Sequence, residues 1–528
     1  MKYVASTFLT DHALFAIVTQ HTSHGKEKMI LFGKHLARTS GGHRAARSLL
    51  LGLAGCLLLP GITLAAEGQE IWPPDSNSLL LTIALSLLVL IGLALVAIGS
   101  AKEERASAVA VSALAAVALS LLGYLVSGFA LQFGGVGLMS QLPGLEAFQR
   151  EWLPWGAGWG ILGLRGFLLS DPAMDTRVYA FFLVQWLPVL ICTFIPLAAL
   201  AGKAPRYLSL LCAFLISAVI YPIFGNWVWG GGWLANLGQT QKLGHGLVDL
   251  TGATGAFVLG AGIAFAAICA FRLRHAPSNG PAHLPPAHFP LFMITGAFLA
   301  LSGWNALSLS NPLSTAQDIH PITVIGNILF AACGGITLPM LYTWFVTGKP
   351  DAWMMARGLI AGLVAGSASA AFVPNWAAWL IGSAAGAVLP LATYFSDHVL
   401  RLDDDQAVTG TFLLPGLWGL LAVGLFASGR WGIGWNGIGA NSYLGMPEQG
   451  VTGLWPASGF RADWPGQFQA QLAGALAALI LSFLFPFLFF SALAFLQKQL
   501  TNRPKELPVA PPELLTEDPG ASPDIRTQ

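Results

Sequence analysis

Charge is what this chain has least of. Lysine and arginine number 26 and aspartate and glutamate 25, so charged residues are 10% of the 528, against about 25% in a soluble globular protein. A water-facing surface for a chain of this length cannot be made from so few ionic groups. The two signs nearly cancel, which removes a strongly basic nucleic-acid face and an acidic disordered chain as first readings. Cysteine is also sparse. Cys56, Cys192, Cys212, Cys269 and Cys333 lie in apolar runs without a C-x-x-C pair, which argues for small buried hydrophobes and against a disulfide framework or metal cluster. No P-loop, zinc signature or nucleophile elbow stands in a credible context, so neither an enzyme nor a cofactor is expected.

What is abundant points to a bilayer. Hydrophobic residues make up 55% of the chain, glycines number 61 and mean hydropathy is +0.65. Glycine is commoner in membrane helices than in soluble ones. The expected class is an all-α polytopic membrane protein. Residues 1–66 read as an N-terminal extension with a signal peptide: Arg44 and Arg47, an apolar stretch from Ser48 to Pro60, and Thr63-Leu64-Ala65-Ala66 as a small-residue cleavage site. Met29 is a candidate natural start, and Leu53-Ala54-Gly55-Cys56 is a competing lipoprotein-like box. Residues 67–500 form the expected membrane domain, and 501–528, rich in proline and acidic residues, a disordered cytoplasmic tail.

Apolar runs near the length of about 20 residues needed to cross a bilayer fall at 78–100, 107–132, 177–201, 206–229, 246–271, 288–309, 321–347, 353–373, 375–396, 407–428 and 466–496. That predicts eleven helices. One set of alternate joints, with the tail, holds Lys102, Arg105, Lys203, Arg206, Arg272, Arg274, Lys349, Arg357, Arg401, Lys498, Arg503 and Lys505. The other holds Arg150, Arg165, Arg177, Lys242, Arg430 and Arg461. The richer set belongs in the cytoplasm by the positive-inside rule. An odd number of helices then leaves the mature N-terminus outside, as a cleaved signal peptide requires. The long joints 133–176 and 429–465 lie outside, and their tryptophans suit either an interfacial belt or a vestibule lining.

Asp249 is the acidic residue that falls well inside a predicted span. An ionisable group there is costly and tends to be functional. The competing reading has its carboxylate held by Thr251, Thr254 or a broken-helix amide, or kept neutral by burial. Glycine spacing in the fifth and tenth spans also hints at an inverted repeat, spans 1–5 against 6–10, with a pathway between the halves.

At these residues the sequence resembles the Amt/Mep/Rh ammonium transporter family. The stretches that carry the likeness run in order. They are Gly128-Phe129-Ala130-Leu131-Gln132-Phe133-Gly134, Tyr221-Pro222 with Trp227-Val228-Trp229-Gly230-Gly231-Gly232-Trp233-Leu234, and Gly244 to Gly260. Next come Pro286-Ala287-His288-Phe289-Pro290 with Gly303-Trp304, then Ala361-Gly362-Leu363-Val364-Ala365-Gly366. Asp403-Asp404, Gly416-Leu417-Trp418-Gly419 and Gly424-Leu425-Phe426-Ala427 complete the series.

The resemblance implies a homotrimer with a narrow hydrophobic pore in each subunit, and the signal peptide without organelle signals points to a bacterial inner membrane. Ammonium is recruited outside by cation–π contact, stripped of a proton, and passed as ammonia. Trp229 falls on the recruitment tryptophan and Asn311 on the recruitment serine. Gln241 falls on an outer aspartate that buttresses the site, and Pro188 and Leu307 on the phenylalanine gate. The two facing pore histidines are replaced, the first assigned to Asp249 and the second to Phe412. A P-II-type regulator is a possible partner in the family. The reading is an ammonium/ammonia channel or transporter, with two rivals: the same fold moving another small cargo, and a non-conducting ammonium sensor or scaffold subunit.

Overall fold

The computed structural model describes residues 76–140, 142–170, 175–274, 288–313 and 319–501. The extension and signal peptide, Cys56, Pro286-Ala287 and all but the first residue of the tail lie outside them.

Ten helices among the described residues are long and apolar enough to cross a membrane, and an eleventh is shorter. In chain order they are α1 (Ser76–Ser100), α2 (Glu103–Leu138), α3 (Thr176–Leu200), α4 (Arg206–Trp229), α5 (Ala253–Ala270) and α6 (Phe289–Ser308). They continue with α7 (Pro321–Thr347), the short α8 (Ala352–Ser367), α9 (Asn375–Val399), α10 (Thr409–Phe426) and α11 (Gly466–Gln499). The protein is an all-α polytopic membrane protein. Small antiparallel hairpins, Glu151–Trp152 with Leu162–Gly163 and Ser442–Tyr443 with Met446–Pro447, decorate the two long joints.

Burial follows position in the bundle rather than hydropathy. α3 and α5 are central, each with 83% of its apolar window buried, whereas the more apolar α11 buries 17% and sits at the periphery. Large apolar side chains such as Leu114 and Phe345 stand exposed, as expected where lipid replaces water as the solvent. Without a hydrophobic force between helices, close backbone approach supplies the packing. α1 and α6 meet through Gly92 and Gly296: a methyl on Gly92 would overlap the Gly296 carbonyl, and one on Gly296 the Gly92 carbonyl.

Two spans are shorter than the hydrophobic runs imply. α8 was expected to reach residue 373 but stops at Ser367, and α5, expected from 246, starts at Ala253. The two irregular segments satisfy each other: the Leu250 and Thr251 amides donate to the Ala368 and Ser367 carbonyls at 3.4 and 3.2 Å. Non-helical backbone is tolerated at membrane depth where protein encloses it and provides partners.

The expected repeat is visible at the helix starts. α5 and α10 each open with a π-helical turn, Ala253–Val258 and Thr409–Leu413. Each opening is capped by a buried aspartate whose partners include a threonine five residues on, Asp249 with Thr254 and Asp404 with Thr409. The joints α1–α2, α3–α4 and α9–α10 converge at one end of the bundle, where Arg105 pairs with Asp403 at 3.0 Å and Asp405 at 3.3 Å and Lys203 pairs with both. The long joints lie at the other end, the loop end. Arg357 is a correction to the count of joint residues, since it lies within α8 and is 1% exposed.

The packing yields a paired test. On α9, a Cβ at Gly382 would run into the Ala331 carbonyl of α7, whereas one at Gly326 of α7 meets nothing within 4 Å. Gly382→Ala should cost about 1–3 kcal/mol through overpacking, lowering the melting temperature in detergent, while Gly326→Ala leaves it unchanged or slightly raised.

Candidate functional site

At the loop end, a cavity of about 10 Å³ is lined by Gln185, Pro188, Tyr221, Trp229, Thr251, Leu307, Ser310 and Asn311. Four residues expected at the pore mouth, Trp229, Asn311, Pro188 and Leu307, are therefore brought together. Gln185 Nε2 donates to Asn311 Oδ1 at 2.6 Å, which fixes α3 against the end of α6. The Tyr221 and Thr251 hydroxyls are buried in this wall without a protein partner. A buried hydroxyl left unpaired costs free energy, so the pair is poised for a small guest that donates N–H or O–H.

Trp229 ends α4, and its indole nitrogen donates to the Asp249 main-chain carbonyl at 3.1 Å. The ring lies against Gly252 and Gly255, where a Cβ would come within 3.2 and 2.8 Å of it. Asp249 is itself fully buried but does not line the cavity. Its carboxylate accepts from the Gly252 amide at 3.0 Å, the Ala253 amide at 2.8 Å, the Thr254 amide at 2.9 Å, and the Thr254 hydroxyl. These are the donors that a helix start leaves without acceptors. Among the two readings of Asp249, the geometry is that of the structural one. The buttress beneath the tryptophan, expected at Gln241, is Asp249 and its carbonyl, and Gln241 is exposed elsewhere.

The irregular segment that delivers Asp249 takes part of its pairing from main chain, the Leu247 amide donating to the Leu234 carbonyl at 2.9 Å, and much of the rest from side chains. From α11, Gln467 accepts from the His245 amide at 2.9 Å and donates to the Gly246 carbonyl at 3.0 Å. Gln471 accepts from the Val248 amide and donates to the Val248 carbonyl, and Asn436 donates to the His245 and Leu247 carbonyls. This scaffold was not foreseen from the sequence.

In the middle of the bundle, Phe412 faces Phe257, with rings 6.3 Å apart and 4° from parallel. Phe257 also stacks on Trp304 at 4.8 Å and 9°, and the Trp304 indole donates to Ser367 at 2.9 Å. Phe257 lies eight residues after Asp249 and Phe412 eight after Asp404. The residue that answers Phe412 in the repeat is thus Phe257, and the assignment of the first histidine position to Asp249 falls two helical turns early. Reading the two aspartates as equivalent caps would have found it. Beyond the rings, a cavity of about 20 Å³ is lined by Phe194, Ile195, Gln406, Thr411, Phe412 and Arg357, among others. Each cavity has room for about one water-sized molecule.

Two predictions follow from these contacts. Asp249→Ala strands four buried donors at about 1–3 kcal/mol each. We expect loss of monodisperse folded protein, with Asp249→Asn milder; an unchanged melting temperature accompanied by lost uptake would instead make Asp249 a cargo residue. His245, in the joint between α4 and α5, is buried against Tyr443 at 4.4 Å with neither ring nitrogen bonded, and burial pushes its pKa down to about 3. The unfolded chain takes up that proton near pH 6.5, so folded-state stability falls as pH drops from about 6.5 toward 3. His245→Phe should lose less melting temperature between pH 7 and pH 4 than the parent does.

Comparison with known proteins agrees with this geometry. A profile described as the Ammonium Transporter Family matches residues 78–506. An ammonium transporter of Archaeoglobus fulgidus, Amt2, is 32% identical over 283 residues, 53% of this chain and 60% of that protein. The chain thus spans less than two thirds of that relative. The ammonium transporter of Bacillus subtilis is 28% identical over 338 residues, 64% of this chain and 76% of its own length. Among solved structures, a Sensor Amt Protein superposes with a TM-score of 0.63 at 22% identity, covering 80% of this chain and 93% of that one. Mep2 of Candida albicans superposes at 0.60 and 20% identity, covering 81% and 85%. With the profile spanning nearly all of the described helices, this chain belongs to the Ammonium Transporter Family.

Proposed function

We propose that the chain carries ammonium nitrogen across the membrane, taking ammonium at the Trp229 cavity and passing ammonia through the bundle. The observation that carries this is the composition of the loop-end cavity: an indole beside two unpaired hydroxyls, Tyr221 and Thr251, in room for about one small molecule. An indole face attracts a small cation by about 0.5–2 kcal/mol, and the hydroxyl oxygens accept its N–H groups. Pro188 and Leu307 close the wall with apolar surface, Asn311 adds an amide, and Asp249 acts through its hold on Trp229. Behind them stand the Phe257 and Phe412 rings, whose faces return only a small part of the hydration a bare cation loses. Return of the proton to water at the loop end, before the rings, is the cheaper course.

The same reading places the charged end in the cytoplasm of a bacterial inner membrane. The N-terminus then lies outside, after removal of a signal peptide within residues 1–66, and residues 67–500 work as the transport domain of a homotrimer. The tail 501–528 is cytoplasmic and offers a P-II-type regulator a place to dock. A second reading is favoured by the parallel Phe257–Phe412 rings, which fill the middle of the bundle: a receptor or scaffold that binds ammonium without passing it. Cavities this small argue against a much larger cargo.

Uptake of labelled methylammonium into vesicles containing the purified protein tests the proposal. We expect uptake above protein-free vesicles and a rise of about tenfold in apparent KM for Trp229→Ala, within the range of one cation–π contact. Uptake equal to empty vesicles, with ammonium still quenching tryptophan fluorescence, would establish the receptor reading instead.

A further inference from the structure

We propose that Arg357 is a charge filter: its guanidinium, set in the wall of the charged-end cavity beside Phe412, keeps cations out of the exit and lets the uncharged amine through. This rests on the transport reading and adds to it which species leaves the pore.

Arg357 is buried inside α8, yet its bonds are few for its five donors. Nη2 donates to the Asp405 carbonyl at 2.8 Å and Nη1 reaches the Thr411 hydroxyl at 3.4 Å, while Nε has no partner. The guanidinium carbon lies 4.3 Å over the Trp353 ring. Carboxylates stand nearby, but they are engaged elsewhere. Asp403 and Asp405 pair with Arg105 and Lys203, and Asp404 accepts from the Val408 amide at the start of α10. Among the described residues no carboxylate forms an ion pair with Arg357.

A guanidinium stays protonated under all ordinary conditions, so the cavity has a permanent positive charge in its wall. Asp397, Asp404 and Asp405 act on the guanidinium through space, but none of them is among the cavity's lining residues, where Phe412, Thr411 and Gln406 bring no negative charge. A charge within a membrane protein's interior is expensive, and tethering a carbonyl could be done by a neutral amide. The cost is accounted for if the charge itself acts. At about 5 Å and an effective dielectric near 20, the guanidinium alone disfavours a second cation by about a hundredfold, an effect that the carboxylates around it reduce. Ammonia, with no charge, meets only a set of hydrogen-bonding groups. The aromatic rings therefore bar cations by lack of solvation and Arg357 bars them by repulsion.

The test uses the full-length protein in proteoliposomes given an ammonium chloride jump, with two readouts. One is luminal alkalinisation above protein-free vesicles, which reports ammonia entry; the other is electrogenic current on a solid-supported membrane. The parent protein should alkalinise the lumen without current. Arg357→Gln should carry at least tenfold more current than the parent, and Arg357→Lys should behave as the parent does. Current in Arg357→Gln no larger than the parent's overturns the filter. If Arg357→Gln does not fold, the parent decides: alkalinisation unaffected by a valinomycin-imposed potential supports the filter, and acceleration by that potential overturns it. Absence of flux in every protein overturns the transport reading, and the filter with it.

Discussion

A helix that begins inside an apolar interior has amide groups pointing forward with nothing to receive them, and no water to take their place. That constraint organises this molecule. α5 and α10 both start within the body of the protein, and each start is completed by a buried aspartate, Asp249 and Asp404. The other irregular pieces answer the same demand. Gln467, Gln471 and Asn436 help pair the segment before α5, and the unwound end of α8 exchanges hydrogen bonds with Leu250 and Thr251. These bonds hold still the two places where α5 and α10 begin, and the candidate pathway runs beside both.

Because the caps are rigid, the side chains on the next turns are placed with little freedom. The Asp249 carbonyl holds the Trp229 indole against Gly252 and Gly255, and the residue lines the loop-end cavity. Eight residues after each capping aspartate, Phe257 and Phe412 meet in parallel beneath it. A cavity lined by an indole and two unpaired hydroxyls thus lies next to a ring-lined apolar passage, and this contrast supports the proposed handling of ammonium.

Much of this was legible in the sequence because the bilayer imposes a simple rule on composition. Long apolar runs marked the spans, and ten of the eleven proved long enough to cross. Trp229, Pro188, Leu307 and Asn311 were singled out together and do share one cavity. The misreadings have a common origin. The hydrophobic runs through 246–252 and 368–373 look helical, since hydropathy does not register where a backbone leaves its helix to bond to a neighbour. For Asp249 the sequence leaves a pore role and a hold on Thr254 or a broken-helix amide both open, because an apolar context does not reveal that three amides and a hydroxyl converge on the carboxylate. Arg357 was counted among joint residues, although its guanidinium is buried under Trp353 and beside Thr411.

The sequence by itself determined the solvent of this protein, its class and its family, since these depend on summed hydropathy and on short motifs in order. Its scarcity of charge was enough for the first of them. Only the tertiary structure decided which of the few buried charges is spent on backbone and which is left facing a cavity. Asp249 and Asp404 close helix ends, whereas Arg357 keeps a nitrogen unpaired. The physical reason is that a buried charge takes its role from the partners within a few ångströms of it, and those partners come from helices far apart in the chain.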